Sequence, residues 1–583
     1  MHHGRSIEWR GRTARRAGIL TCLLAGLGLA PATGADESAQ PSLVLDVARQ
    51  ELDRSMRELG KQPEPPYFLA YEINDTDFAM VTAAFGELVA SNRSQTRQLD
   101  IDLRVGSHAL DNSRVTQGGG PGAMWRGVGM TTLPIEDDPG ALRNELWFHT
   151  DRAYKQSVEA LTRIRTDVNI QVEREDGSDD FSREAPQRFI GAPVSLDFDT
   201  AAWEARVAAY TAPFAAYGDI FQAQAVVTAS ATNRWLVNSD GTELQTGQVQ
   251  YRLVVQASTR AEDGMELPLY RSFSAFDPEG LPNDEAVRAV VEKMIADLLA
   301  LREAPLVEPY VGPAILSGRA AGVFFHEVLG HRVEGHKLKR ESDSQTFKKM
   351  IGEAVLPPTL TVTFDPTLRE RAGQTLSGHY LFDNEGVRAQ PVTVIEGGVL
   401  QRFLMSRDPI EGFPVSNGHG RRQPGFKPVA RQSNLLVETS APVDDARLEE
   451  MLLERIRDEG KPFGLIFEDI QGGFTQTGRF MPNAFNVLPL LVYRLLPDGS
   501  RELVRGVDLI GTPLTALTKI VAAGDEPTVF NGLCGAESGQ VPVSASSPAL
   551  LISQIEVQKK LQSQQRLPIL DAPLADRAPE TGR

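Results

Sequence analysis

From Ser42 to Leu59 apolar residues fall at helical spacing (Leu43, Val47, Leu52, Met56, Leu59), and the run stops at Gly60 before a proline-rich stretch. This predicts an amphipathic opening helix. Between Tyr67 and Val105 the pattern becomes strand-like in three segments, PYFLAYEI, AMVTAAFGELVAS and RQLDIDLRV, separated by turn residues. A second helix is predicted from about Glu145 to Arg165. Residues 219–276 then read as long antiparallel strands, with Asn238-Ser239-Asp240-Gly241 as a hairpin turn. A helix around Asp284–Leu301 leads into REAPLVEPYVGP, whose three prolines mark a connector.

Past the connector, TLTVTF, QPVTVIEGGVLQRFLMS and NVLPLLVYRLLPDGSRELV alternate as strands, the last two carrying Gly-Gly and Asp-Gly turns. The pattern predicts an α+β fold of two domains, both rich in antiparallel or mixed sheet with flanking helices. The expected division is an N-terminal domain over 36–304, a C-terminal domain over 305–565 and a loose, Pro-rich charged tail over 566–583. A length of 583 residues, with 41% hydrophobic and 23% charged, agrees with two globular cores.

The first 35 residues differ from the rest. Arg10, Arg12, Arg15 and Arg16 precede an apolar run from Ile19 to Ala30 and then small residues, the layout of a secretory signal peptide. The run is shorter than the roughly 20 residues of a membrane span, so the expectation is an exported protein, periplasmic or secreted, without a stable membrane span. Removing this segment takes away five arginines and one glutamate and moves the net charge from −17 to −21. Such an acidic chain argues against nucleic acid as a partner. Cys22 lies in the leader, so Cys534 is the one cysteine of the expected mature chain, either a small buried hydrophobe or a metal ligand.

The segment SGRAAGVFFHEVLGHRVEGH places His326, Glu327 and His331 in an apolar, helix-like context. Two imidazoles converging on a point can hold zinc, and the neighbouring carboxylate can take a proton from a water the ion activates. Histidines five apart on a regular helix diverge by about 140°, so the helix must end or distort between them. Gly330 is the residue type that permits this. A third ligand is required, and His336, Cys534 and Glu334 are the candidates. His336 stands ten residues after His326, the spacing of the last metzincin histidine, but Gly330 and Val333 lack that pattern's other residues.

Taken together, HEVLGHRVEGH (326–336), FDNEG (382–386), VIEGGVLQRFLMS (394–406), NGHGRR (417–422), QGGFTQTG (471–478), GVDLIG (506–511) and CGAESGQVPV (534–543) resemble the TldD/PmbA family of metalloproteases, on its TldD-like, catalytic branch. The resemblance spans most of residues 310–550. It implies one zinc per chain held by His326, His331 and Cys534, with Glu327 as general base in peptide hydrolysis. It also implies a homodimer, or a heterodimer with a PmbA-like chain, that admits extended or unfolded peptide.

Two further features invite a substrate role. Gly472-Gly473 beside a predicted strand would let a peptide backbone approach and pair, or is an ordinary turn. Arg421-Arg422 would hold a substrate carboxylate, a solvated loop being the default. The rival reading is a non-catalytic peptide-binding or assembly subunit.

Overall fold

The computed structural model describes residues 39–114, 131–168, 176–339, 343, 345–475, 477 and 485–560. The leader-like segment and the expected tail lie outside the described residues. The opening helix, α1 (Leu43–Leu59), is capped by Ser42, whose hydroxyl accepts from the Leu45 amide, and buries Val44, Leu45, Val47 and Leu52.

β1 (Pro66–Ala84) and β2 (Glu87–Val105) form one long antiparallel hairpin. The three strand-like segments expected here are therefore two strands. Asn74 and Asp75, and Ser91 to Ser94, occupy strand positions rather than turns, and the reversal falls at Phe85-Gly86, where both residues have positive φ (50° and 90°). β3 (Ile220–Asn238), β4 (Glu243–Arg260) and β5 (Glu266–Ala275) continue the sheet, with the predicted reversal after Asn238. In the seven-stranded order β2 lies beside β1, β1 beside β3, β3 beside β4 and β4 beside β5; Thr131–Leu133 and Arg188–Ile190 add short edges. Helix α2 (Pro139–Val168) packs on β2, and α3 (Asp284–Glu303) on β4 and β5.

The C-terminal half contains β6 (Tyr310–Leu316), helix α4 (Gly318–Val328), β7 (Leu360–Phe364), β8 (Asn434–Thr439), β9 (Gly464–Thr475), β10 (Phe485–Leu495), β11 (Val507–Gly511), β12 (Thr528–Ala536), β13 (Gly539–Ser547) and β14 (Leu550–Lys559). One sheet runs from β7 through β8 and β13 to its edge strand β12. In the other, β14 pairs with both β11 and β6, so β6, β9, β10, β11 and β14 close into a ring around an apolar core. The fold is α+β with two sheet-rich halves.

The halves dock through buried charge. Glu72 of β1 accepts from Arg234 (2.9 Å), from Asn384 (2.9 Å) and from Arg422 (2.7 Å). Arg422 also meets Asp100 at 2.9 Å. Arg407 donates to Ser182 O at 2.7 Å and Asp240 at 2.9 Å while lying over Phe68 and Phe181. Nearer the cavity, Tyr270 donates to Gln471 O at 2.7 Å.

Candidate metal centre

Helix α4 begins where Ser317 accepts from the Ala320 amide, and its first turn is nearly all small residues. Their size is required. A Cβ on Gly318 would lie 2.4 Å from Ser547 O and from Thr528 Oγ1, and one on Gly322 would lie 2.9 Å from Ala545 O. The helix thus seats directly against β12 and β13, the hairpin that carries Cys534. This packing brings together residues 208 positions apart.

The expected distortion between the histidines takes a definite form. α4 ends at Val328, and Gly330–Arg332 form a single 3₁₀ turn that swings His331 back toward His326. The buried Arg332 guanidinium donates to Glu327 O (2.7 Å) and Val328 O (3.2 Å), satisfying helix-terminal carbonyls. A Cβ on Gly330 would sit 1.9 Å from Gln432 Oε1, while Gln432 Nε2 donates to His326 O at 3.3 Å. Glycine is demanded here by close approach rather than by its backbone angles.

His326 Nε2 lies 3.2 Å from Cys534 Sγ, and His331 Nε2 lies 3.4 Å from the same sulfur. The donor atoms of the three residues all fall within 4.8 Å of one another. The far nitrogen of His331, Nδ1, faces Glu334 Oε2 at 3.2 Å, which aims Nε2 at the sulfur. Glu334 is in turn held by Lys337 at 2.7 Å and by Arg431 at 3.6 Å. Burial pushes the Glu334 carboxyl up, but Lys337, His331 and Arg431 outweigh it and hold it far below the usual range.

Burial likewise raises the Cys534 thiol, but His331, His326 and Arg431 prevail and bring it well below its ordinary value. Burial lowers His331, yet Cys534 and Glu334 carry it up to about 10. An N₂S set of two imidazoles and a thiolate, buried and oriented from behind, fits a borderline-soft ion such as zinc. Ion binding would displace the imidazolium proton.

Glu327 lines the same cavity. Its Oε2 is buried without a hydrogen-bond partner among the described residues. Burial is the largest influence on its carboxyl and raises it above the usual range, against the lowering effect of His326 and His331.

The other candidates separate. His336 stands outside the group of three: it is fully buried, and its Nε2 faces Glu537 Oε1 at 2.5 Å. Glu334 supports His331 rather than joining the donor set. Gly472-Gly473 is no turn but part of β9, and a Cβ on Gly473 would come 2.7 Å from Glu327 Cγ.

Arg421 and Arg422, expected as substrate contacts, are placed against the protein's own groups. Arg421 is buried, donating to Gln432 O and to Pro542 O (2.8 Å), and Arg422 is committed to Glu72 and Asp100. A pair of adjacent arginines in sequence gives no sign of which carboxylates fold against it. Sequence reasoning also missed Arg431, whose guanidinium donates to Cys534 O at 2.7 Å and to Ser538 Oγ at 2.7 Å, locking the cysteine strand.

The centre opens into a cavity of about 1080 Å³. Part of its lining is helix α4 with β9 and β12, and part is the N-terminal sheet, which presents Gln222, Gln224, Arg252, Gln256, Ser258 and Tyr270.

Residues 310–559 match the family model of the PmbA/TldA metallopeptidase C-terminal domain. The C-terminal half is a PmbA/TldD-type domain. Its similarity to a metalloprotease from Archaeoglobus fulgidus is 34% identity over 239 residues, 41% of this chain and 51% of that one. A zinc metalloprotease TldD homolog from Saccharolobus solfataricus is 23% identical over 248 residues, covering 42% and 51% of the two chains. The chain thus spans about half the length of these relatives. Over nearly the whole molecule the fold resembles a crystal structure from Thermotoga maritima (TM-score 0.58, 16% identity, 87% of this chain and 99% of that one). It also resembles TldE from Thermococcus kodakarensis (TM-score 0.56, 12% identity, 89% and 100%). The likeness of fold therefore extends over the N-terminal half, which lies outside the residues matched by the family model.

Proposed function

We propose that this protein is a zinc-dependent peptidase acting on extended or unfolded peptide, with His326, His331 and Cys534 as metal ligands and Glu327 as general base. The observation that carries the reading is the convergence of three ligand atoms on one point beside a buried carboxylate oxygen that nothing else in the described structure uses. A structural zinc site would be closed by a fourth ligand and has no use for a base.

His326, His331 and Cys534 would hold the ion, which when bound would supply Lewis acidity that makes an attacking water more acidic. Glu327, with its proton affinity raised by burial, accepts the proton from the attacking water and returns it to the leaving amine. Glu334 keeps the His331 ring in one orientation throughout. The substrate backbone is read by strand addition. Two strand edges border the cavity without a second neighbouring strand among the described residues: β12 beyond its partner β13, and Gly472–Phe474 of β9, whose pairing with β6 ends at Phe467.

The reading extends to export, on the leader-like residues 1–35, and to a dimer with a like or PmbA-like chain. The alternative, a non-catalytic peptide-binding or assembly subunit, leaves the three ligands and the unpartnered Glu327 without a task.

Metal content and peptide hydrolysis of wild type, Cys534→Ser and Glu327→Gln test the proposal together. Expected are about one zinc per chain in wild type and Glu327→Gln, a sharp fall in Cys534→Ser, and hydrolysis in wild type alone. Full peptidase activity in Glu327→Gln would sink the base assignment, and zinc-free wild type would favour the binding subunit.

A further inference from the structure

The N-terminal wall of the cavity is built from one face of β4 and its neighbours. Arg252, Val254, Gln256 and Ser258 alternate along β4 and all line the cavity. Most of the polar groups on this wall satisfy each other: Gln256 Nε2 donates to Gln224 Oε1 at 2.9 Å, Ser258 Oγ to Gln222 Oε1 at 3.3 Å, and Tyr270 to the β9 backbone.

Arg252 is the exception. Among the described residues, two of those lining the cavity carry Lys or Arg side chains, and Lys337 is tied to Glu334. Arg252 makes no ion pair or hydrogen bond among the described residues, and its Nε is buried without a partner. Its cross-strand neighbours, Thr228 on β3 and Ser274 on β5, are small and uncharged. Burial lowers its pKa, the mark of a cation that pays for desolvation without a counter-charge nearby. Of the buried arginines of this chain, Arg97, Arg104, Arg407, Arg422 and Arg431 each meet a carboxylate, and Arg332 and Arg421 donate to backbone carbonyls, whereas the half-buried Arg252 does neither.

An unpaired guanidinium facing a cavity of this size is completed by a ligand that brings the missing anion. We propose that Arg252 is a specificity residue that anchors a carboxylate of the bound peptide in the same cavity as the metal centre. The carboxylate comes either from the peptide's C-terminus or from an Asp or Glu side chain. This rests on the peptide-binding part of the proposed function but not on cleavage.

The test is equilibrium binding to zinc-loaded Glu327→Gln protein, which removes turnover from the readout. Three labelled probes share one Ala/Ser decapeptide: a free C-terminal carboxylate, a C-terminal amide, and the amide with one internal Asp. The free-acid probe, the Asp probe or both should bind about 10- to 100-fold tighter than the neutral amide, the range of a charge-assisted contact. Adding Arg252→Gln should make all three bind alike, with zinc content and melting temperature held. The first probe alone identifies a C-terminal anchor, and the Asp probe an acidic side-chain pocket.

Ser274→Asp, which supplies an internal partner to an intact Arg252, should abolish the preference in the same way and guards against a folding defect in the first variant. A carboxylate preference that survives both substitutions overturns the assignment, as does the absence of any preference or of any peptide binding before they are made. Carboxylate-dependent binding without hydrolysis by wild type would instead retain Arg252 and reject the peptidase reading.

Discussion

The two halves of this molecule build cores from the same apolar residues but differ in the regularity of their strands and in where their buried polar groups find partners. In the N-terminal half, the β1/β2 hairpin keeps continuous register over most of 19-residue strands, and many polar groups find partners on the neighbouring strand, as Thr76 does with Thr232. In the C-terminal half, Arg332, Arg407 and Arg431 are fully buried, and β9 shifts register three times between Phe467 and Gly472. The regular half supplies a wall and the irregular half supplies the chemistry. Buried, long-range polar networks fix side chains tightly but fail badly when one member is removed.

The contrast is sharpest at Glu327, where replacement by Gln should lower kcat/KM by roughly 10²- to 10⁴-fold with zinc retained, measured by steady-state hydrolysis and metal analysis. Next comes the seam between the halves. Arg422→Met leaves Glu72 and Asp100 buried with too little positive charge, and a loss of about 3 to 5 kcal/mol is expected in denaturant unfolding.

The same seam has a predicted pH dependence. Burial raises the Glu72 carboxyl, but Arg234 and Arg422 outweigh it and bring it from 4.5 down to about 2. A depressed carboxylate stabilises the fold fully above its unfolded value, so this contribution should fade as pH falls through that interval. Glu72→Gln should flatten that part of the stability profile.

Smaller effects follow behind the ligands. Glu334→Gln weakens the hold on His331 and should reduce zinc affinity about 10- to 100-fold in a chelator competition. Gly330→Ala forces a Cβ into Gln432 and should cost about 1 to 3 kcal/mol of stability. The smallest effect belongs to the regular half: Leu88→Ser, on the exposed end of β2, should stay within about 0.5 kcal/mol in the same unfolding assay. A large loss there would break the comparison.

Local pattern determined a good deal of this protein. Apolar spacing announced α1, the end of β3 was readable at Asn238–Gly241, and the five-residue histidine spacing required the helix to end or distort near Gly330, because these are properties of neighbouring residues along one backbone. It could not choose among Cys534, His336 and Glu334 by itself; the family likeness named the cysteine, and folding placed its sulfur against both imidazoles.

Nor did it show that Arg422 binds Glu72, 350 residues away, or that Arg252 binds no carboxylate among the described residues. Charge pairing is decided by which surfaces meet, and the close approach of α4 to the β12/β13 hairpin exists only once the small faces of Gly318 and Gly322 have been packed.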